Sequence, residues 1–410
     1  MKSNYKPIGN YVKQVKLKNT DNSLTVEHLR GIRINKEFMP SVANVTGTDL
    51  SKYRVVKRYQ FAYNPMHVGR DEILPISMLA DEEAIIVSPA YVIFEIIDTN
   101  ELLPEYLMIW CRRSEFDRNA WFTTDSSVRG GFSWDDFCGL ELPVPSIDKQ
   151  KEIVKEYKTI TDRIKLNEQL NQKLEETAQA IYKEWFVDFE FPDVYGKPYK
   201  SSGGKMVYCD ELDMEIPEGW KFERLKNLIE SASKKHYFNQ DELIFFNTSD
   251  ILNGEFLHNN YSLVDKMPGQ AKKSIQKLDI LYSEIRPENK RFALVRVDNT
   301  DDYVVSTKLM VLRRISDKIH VYKLYYFLTS KDFISILQHS AYGRSGTFPQ
   351  ITYDLDIANK NILFACDIIE QKWSKFLESY YNQLFSRKDE IKLLHTMKEL
   401  ILSKMATIKD

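Results

Sequence analysis

The sequence predicts an α+β protein in which two similar mixed α/β domains repeat along the chain, separated by two long helices that pair antiparallel as a coiled coil. Three observations predict this fold: the two halves of the chain match each other, each half begins with short β-type runs, and each half ends in a heptad pattern. The composition suits a globular chain with two cores, since 43% of the 410 residues are hydrophobic and the net charge is −2.

The internal repeat consists of matching segments in the same order at a nearly constant offset of 216 to 221 residues. One match alone is weak, because aromatic strands resemble one another by chance, but four in order indicate a duplicated unit. The matching pairs are 61–65 with 280–284, 87–94 with 305–312, 131–133 with 347–349, and 149–150 with 370–371.

Each repeat begins with short apolar runs that are bounded by Gly, Pro, Asn and Asp, which is typical of β-strands in a mixed α/β domain. A segment rich in Pro, Gly and Ser follows the first helix and is interpreted as a linker. The predicted divisions are a first domain at 1–145, a helix at 146–190, a linker at 191–215, a second domain at 216–362 and a final helix at 363–410.

Heptads run from Ile153 to Trp185 and from Trp373 to Met405, with few polar residues at their a and d positions. Two unrelated amphipathic helices, each packed on its own domain, are the simpler alternative, but matched frames over four heptads favour pairing. In an antiparallel pair, facing residue numbers sum to about 558, which places Asn171 opposite Arg387 and allows the polar pair to fix the register. Parallel pairing would instead bring Asn167 to Arg387.

Motifs of common enzymes are absent from the sequence. It has no G-x-x-x-x-G-K-[ST] phosphate loop, no G-x-G-x-x-G after a strand, no H-E-x-x-H metal helix and no G-x-S-x-G elbow. It also has no run of 18 apolar residues and no apolar segment near its start that suits a signal peptide. These patterns predict a cytoplasmic binding protein without catalytic residues, metal or membrane contact.

Two basic strips lie at equivalent places in the repeats. Residues 51–70 contain lysines and arginines, and residues 266–277 contain lysines. Neither strip contains an acid, and aromatic residues are interleaved with the first. Such strips suit phosphate neutralisation, although a solvated surface is the simpler interpretation of either one alone. Arg and Gln on loops also suit base reading. The predicted DNA-binding residues are Lys57, Arg58, Asn64, Arg70, Arg129, Lys272, Lys273, Lys277, Arg286, Lys290, Arg291, Arg344 and Gln350.

The segments 140–154, 164–171 and 180–190 resemble the central conserved region of the specificity subunits of type I restriction–modification systems. The most specific part is the aromatic ending Trp185-Phe186-Val187-Asp188-Phe189. Residues 199–204 and 215–220 are similar to that family's approach to its second target recognition domain. The resemblance covers essentially the whole chain.

This resemblance implies two target recognition domains, each of which reads one half of a bipartite double-stranded DNA site, and a helix pair that sets the spacer. It implies no cofactor on this chain, because two methyltransferase subunits would carry S-adenosylmethionine and restriction subunits would use ATP and Mg. We expect Trp185, Phe186 and Phe189 to supply hydrophobic surface for a partner. About 33 helical residues span roughly 50 Å, which is longer than the 34–36 Å of one DNA turn.

One departure from the family lies before the final helix, where residues 361–367 lack the Pro-x-Pro of residues 142–145. The final helix could therefore begin at a different angle from the first. Two other classes of function stay open at this point. One is a tandem-repeat scaffold that assembles proteins without binding DNA, and the other is an enzyme with a site in a domain cleft.

Overall fold

The computed structural model describes residues 5–42, 47–66, 68, 72–124, 131–344 and 349–408. The chain divides into two compact units. Unit 1 comprises Met1–Leu170 and Arg387–Asp410, and unit 2 comprises Asn171–Ser386. Each long helix has one part in unit 1 and the other part in unit 2. Neither unit therefore corresponds to one predicted domain alone. The predicted domain boundaries stay predictions.

Unit 1 contains short strands followed by three short helices and the first part of a long one. Its strands are β1 Tyr5–Pro7, β2 Val12–Val15, β3 Arg30–Ile32, β4 Phe38–Pro40, β5 Arg54–Lys57, β6 Phe61–Tyr63, β7 Ile76–Met78, β8 Ala84–Val87, β9 Val92–Ile96 and β10 Glu141–Pro143. Its helices are α1 Pro104–Cys111, α2 Ser114–Phe122, α3 Trp134–Gly139 and α4 Ile147–Tyr182, which continues as a π-helical turn over Lys183–Val187.

Unit 1 has an antiparallel sheet with the order β2-β9-β6-β7, and separate hydrophobic clusters pack on its two faces. Phe61 and Phe94 stack across neighbouring strands at 4.7 Å between ring centroids, and Tyr63 stacks on Phe137 of α3 at 5.3 Å. Helix α3 begins at a capping box in which the Ser133 hydroxyl accepts from the Asp136 amide. Aromatic packing therefore joins the sheet to the helix that precedes β10.

Unit 2 likewise has short strands followed by short helices, with more strands than unit 1 in the described residues. Its strands are β11 Met206–Cys209, β12 Met214–Pro217, β13 Lys221–Arg224, β14 Ile229–Ala232, β15 Glu242–Phe246, β16 Ile251–Leu252, β17 Glu255–Phe256, β18 Tyr261–Leu263, β19 Ala271–Lys273, β20 Ile280–Ser283, β21 Phe292–Leu294, β22 Tyr303–Ser306, β23 Leu309–Arg314 and β24 Asn361–Phe364. Its helices are α5 Val321–Thr329, α6 Lys331–Arg344 and α7 Asp367–Lys404.

The sheet order confirms the internal repeat. In unit 2 the order β14-β23-β20-β21 corresponds to β2-β9-β6-β7 in unit 1, and all of its neighbours are antiparallel. A second sheet, β18-β15-β22-β19, contains one parallel pair between β15 and β22. Its β19–β22 pair corresponds to β5–β8 of unit 1, as the matched segments predict.

Both predicted long helices are present, and each predicted a and d position is buried or half-buried. In unit 1, the first part of α4 packs on the last part of α7: Ile153 and Tyr157 share a core with Leu402 and Met405. In unit 2, the end of α4 packs on the start of α7, where the rings of Tyr182 and Trp373 are 6.0 Å apart. The helices are therefore antiparallel, and the facing of Asn171 and Arg387 stays a prediction.

The two helix starts are more alike than the missing prolines suggest. Strand β10 pairs with β1 and strand β24 pairs with β13, so residues 361–364 form the same strand without Pro-x-Pro. The backbone amide of Gln150 donates to the Ser146 carbonyl at 3.0 Å, and the backbone amide of Glu370 donates to the Cys366 carbonyl at 2.9 Å. Gln150 therefore corresponds to Glu370, one residue earlier than the sequence match of 149–150 with 370–371.

The segment interpreted as a linker is folded against the end of α4. The Phe191 ring stacks on Tyr199 at 4.5 Å and on Trp220 at 4.9 Å. The Glu190 carboxylate accepts from the Ser201 amide at 3.0 and 3.1 Å. These contacts anchor the segment through Phe191, which lies in the core of unit 2, while most of residues 194–203 are exposed. None of the helices in the described ranges combines the length and apolar composition that a membrane span requires.

Candidate nucleic-acid interface

In unit 1, the basic strip is paired with a second basic segment that follows β2. Lys18 forms an antiparallel bridge with Arg54, and the Asn19 amide donates to the Tyr53 carbonyl at 3.0 Å. Lys16 and Lys18 are exposed. The ladder thus joins two lysines near the chain start to the strip at residues 51–58.

In unit 2, the same ladder follows β14. Lys235 forms an antiparallel bridge with Lys273, and the His236 amide donates to the Lys272 carbonyl at 2.8 Å. Lys234, Lys235 and Lys272 are exposed. Each unit therefore presents basic side chains from two neighbouring backbone segments at the equivalent place in the repeat, as an anion-binding surface requires.

The lysines before these ladders were missed by the sequence analysis. Lys18 after β2 corresponds to Lys235 after β14, and each has a further lysine just before it, Lys16 or Lys234, so the signal was the recurrence of basic residues after equivalent strands. Each group is short, and a charge run of two residues is ordinary on a protein surface. Only the pairing with a distant strip makes them part of one surface.

The predicted residues of unit 1 are partly engaged by their neighbours. Lys57 is exposed at the end of β5, and Arg58 forms an ion pair with Glu83 at 3.3 Å. The Asn64 side-chain oxygen accepts from the Met66 amide at 3.0 Å, so its amide oxygen stabilises a turn. The predicted residues Arg70 and Arg129 lie outside the described residues.

The basic strip of unit 2 contains lysines in three different environments. Among the residues that the structure describes, Lys272 has no ion pair. The Lys273 ammonium donates to the Leu309 carbonyl at 2.9 Å, and burial lowers its pKa. Lys277 forms an exposed ion pair with Asp298 at 2.5 Å. Lys272 is thus the most accessible charge of the three for a phosphate.

The turn between β20 and β21 brings further predicted residues together. Arg286 and Lys290 are exposed and have left-handed backbones, with φ of 45° and 53°. Non-glycine residues seldom adopt this conformation. Gln350 forms a backbone bridge with Ile285, so it lies beside Arg286, while Arg291 is half-buried. Arg286, Lys290 and Gln350 therefore lie around one turn.

Arg344 has a different environment from the other predicted base-reading residues. It is the last residue of α6 and forms an ion pair with Asp356, which is 2% exposed. The same carboxylate accepts from the Thr352 amide at 2.7 Å. This pairing commits the guanidinium to holding the end of α6, so base reading by Arg344 stays a prediction.

The aromatic segment at the end of α4 belongs to the core of unit 2. Phe186 and Phe189 are 6% and 2% exposed, and their rings lie 5.4 and 5.6 Å from Trp220. Trp185 is half-buried, with its ring 6.4 Å from Trp373. Aromatic neighbours distant in sequence cover Phe186 and Phe189, so these two rings expose little surface, and partner binding by this segment stays a prediction.

Comparison with known proteins finds a family to which most of the second repeat is similar. The family model described as "Type I restriction modification DNA specificity domain" matches residues 217–395. The chain is 45% identical over 136 residues to the HindI type I restriction enzyme specificity subunit of Haemophilus influenzae, which covers 33% of this chain and 29% of that protein. It is 26% identical over 298 residues to the MjaIX specificity subunit of Methanocaldococcus jannaschii, which covers 68% and 63%.

The matched part of the chain thus spans less than two thirds of the length of either relative. In structure, the chain is similar to the S subunit of a type I restriction–modification system from M. genitalium, with a TM-score of 0.59 and 14% identity over 99% of this chain and 96% of that one. This likeness shows the fold. Residues 217–395 are therefore similar to the type I restriction modification DNA specificity domain, the chain has the fold of a type I S subunit, and the resemblance drawn from its sequence is confirmed.

Proposed function

We propose that the chain is the DNA-specificity subunit of a type I restriction–modification complex. Each repeat would read one half of a bipartite DNA site, and the two long helices would set the length of the unread spacer. The observation that carries this proposal is the basic ladder of the DNA specificity domain, which unit 1 repeats: Lys18 with Arg54 corresponds to Lys235 with Lys273. Two equivalent basic surfaces suit a DNA site with two halves.

The proposal assigns the chemistry to partner subunits in the cytoplasm. Two methyltransferase subunits would carry S-adenosylmethionine and methylate adenine, and restriction subunits would use ATP and Mg. The chain itself would direct them to the site without catalysing a reaction. The twofold repeat supports two methyltransferase copies, because equivalent surfaces bind equivalent partners.

The test is methylome sequencing of the source cell with and without this gene. We expect one bipartite adenine-methylation motif to disappear when the gene is deleted and to return when it is restored. A motif that persists unchanged after deletion would contradict the proposal.

A second measurement separates DNA recognition from protein assembly. The full chain, purified with a co-purifying methyltransferase, should shift duplexes that contain the motif more strongly than random duplexes in an electrophoretic mobility assay. A complex that assembles but shifts neither duplex would favour a protein-assembly scaffold. Co-purification of a methyltransferase should survive high salt, since the partner surfaces are expected to be largely apolar.

A further inference from the structure

The loop that connects β14 to β15 in unit 2, residues 233–241, lines an open cleft of about 360 Å³ together with residues 274–276 and 300–301. The loop follows the basic ladder directly and contributes most of the lining of the cleft. The main lining side chains are those of Lys234, Lys235, His236, Tyr237, Asn239 and Gln276. Basic, amide and aromatic groups therefore converge at one place next to the predicted strip.

The backbone and two aromatic groups hold this loop in place. The Ser274 amide donates to the Lys234 carbonyl at 2.9 Å, one step along the ladder from His236. His236 is 6% exposed, and its ring lies 5.2 Å from that of Phe238. Tyr237, between these two anchors, is 73% exposed. The Tyr237 side chain is thus exposed to solvent, while the neighbouring His236 side chain is buried and its backbone is hydrogen-bonded.

The charge of the cleft is positive. Lys234 and Lys235 are exposed and have no ion pair among the described residues. Asp301 also lines the cleft, and the neighbouring Asp302 accepts from the Gln240 side chain at 3.2 Å. Burial lowers the pKa of His236 below its usual 6.5, so its imidazole adds no charge at neutral pH.

Unit 1 has no such loop at the equivalent place. Asn19 corresponds to His236, and the next residues there are Thr20 and Asp21. The Asp21 carboxylate accepts from the Ser23 amide and hydroxyl at 3.2 and 3.0 Å, which closes a tight polar turn. The exposed aromatic ring at this place is therefore specific to unit 2.

We propose that this cleft is a DNA contact site of unit 2, in which Lys234 and Lys235 neutralise backbone phosphates and Tyr237 packs its ring against the adjacent nucleoside. The inference rests on the proposed function and adds to it the residues that would bind. Lysines release counterions at phosphates, and an uncharged aromatic ring gains from covering apolar surface of the nucleoside. The contribution of the lysines to affinity should thus depend on salt, whereas that of the ring should not. The two contributions can therefore be measured separately.

The role of the lysines is tested by measuring the affinity of the full chain, at several salt concentrations, for duplexes that contain the motif found by methylome sequencing. The double variant Lys234→Ala with Lys235→Ala should reduce the slope of log affinity against log salt by up to about two. The matched control is Lys221→Ala with Lys226→Ala, two exposed lysines of the same unit, which should leave the slope unchanged. Equal slopes for the two double variants would overturn this part of the inference.

The aromatic part is tested by Tyr237→Ala, which should weaken binding about tenfold at every salt concentration without changing the slope. Tyr237→Phe should bind like the wild type, because the ring is kept. Unchanged melting temperatures would confirm that all variants fold, as expected for exposed side chains. If Tyr237→Ala binds as tightly as the wild type, the inference fails while the proposed function stands; if the wild-type chain binds no duplex, both fail.

Discussion

The two repeats begin their long helices with the same backbone arrangement but with different side chains. In Gln150 of unit 1 and in Glu370 of unit 2, the backbone amide donates a hydrogen bond to the carbonyl four residues earlier. Backbone hydrogen bonds of this kind are available to any residue, so they survive divergence of the sequence. The side chains are free to change, provided that each finds partners in its own unit.

In unit 1, the side chain at this place is neutral and fully buried. The Gln150 side-chain oxygen accepts from the Leu103 amide at 2.9 Å. Its nitrogen donates to the carbonyls of Glu101 and Pro145 at 2.8 and 2.9 Å. The amide group thus satisfies the backbone just before α1 without burying a charge.

In unit 2, the equivalent side chain is charged. The Glu370 carboxylate forms an ion pair with Lys323, whose side chain is 4% exposed, and accepts from the Ala365 amide at 2.9 Å. The Lys323 ammonium also donates to the Leu363 carbonyl at 2.8 Å. Burial lowers the pKa of Lys323, and Glu370 opposes this shift. The same fold therefore accommodates a neutral side chain at this place in unit 1 and a charged pair in unit 2. Removing one partner of the charged pair is expected to lower the stability more.

The largest effect is expected from Lys323→Ala, which leaves the Glu370 carboxylate poorly solvated and without its cation. We expect the free energy of unfolding to fall by about 3–5 kcal/mol, measured by chemical denaturation, with hydrogen exchange accelerated in unit 2. Gln150→Ala in unit 1 should cost less, about 1–3 kcal/mol, because only neutral hydrogen bonds are lost. Equal costs for the two variants would break the comparison.

The turn that precedes β2 in unit 1 and β14 in unit 2 gives a second contrast between the repeats. Gly9 lies in the turn Ile8–Asn10, and Lys226 holds the corresponding place in Leu225–Asn227. A Cβ atom at Gly9 would lie 2.7 Å from the Cys138 Cβ atom. We therefore expect Gly9→Ala to destabilise the chain by about 1–3 kcal/mol in thermal unfolding.

Lys226→Ala is the control for this overpacking, since the Lys226 side chain is exposed. Its effect should stay within about 0.5 kcal/mol. A Gly9→Ala variant as stable as Lys226→Ala would show that helix α3 moves away at little cost.

The sequence predicts what depends on local periodicity. The heptads predict both long helices and their buried positions, and the matched segments predict equivalent strands. Contacts between distant segments are not predictable in this way. The bridge of Lys18 with Arg54, the cover of Phe186 by Trp220 and the pairing of Arg344 with Asp356 each depend on how the chain folds back.

A comparison of the two basic strips predicts a smaller effect on DNA binding. Lys272→Ala should weaken binding to all sequences alike and reduce the salt slope by about one, since Lys272 has no ion pair among the described residues. Arg58→Ala should change the slope less, because Glu83 already neutralises Arg58 in part. Affinities of the full chain measured at several salt concentrations would decide, and a larger slope change for Arg58→Ala would reverse the ranking.

The smallest expected effect is the response to acid of the helix contact in unit 1, which includes an exposed ion pair. Arg163 contacts the Glu390 carboxylate from Nε at 2.7 Å and from Nη2 at 3.1 Å. Hydrogen bonds from Arg163 hold the pKa of Glu390 below its usual 4.5 in the folded chain. In unit 2 the helices meet through uncharged rings, such as those of Tyr182 and Trp373.

Because the folded pKa of Glu390 is lower than the unfolded one, this contact stabilises unit 1 above pH 4.5 and is lost as the pH falls through the folded value. Hydrogen exchange of the paired helix segments in unit 1 should therefore accelerate between neutral pH and about pH 3.5 more in the wild type than in Glu390→Gln, after correction for the intrinsic rate. The gain is small because the pair is exposed and screened by salt. The same acceleration in both proteins would mean that acid acts on other carboxylates, and the contrast between the helix contacts would then not depend on this charge.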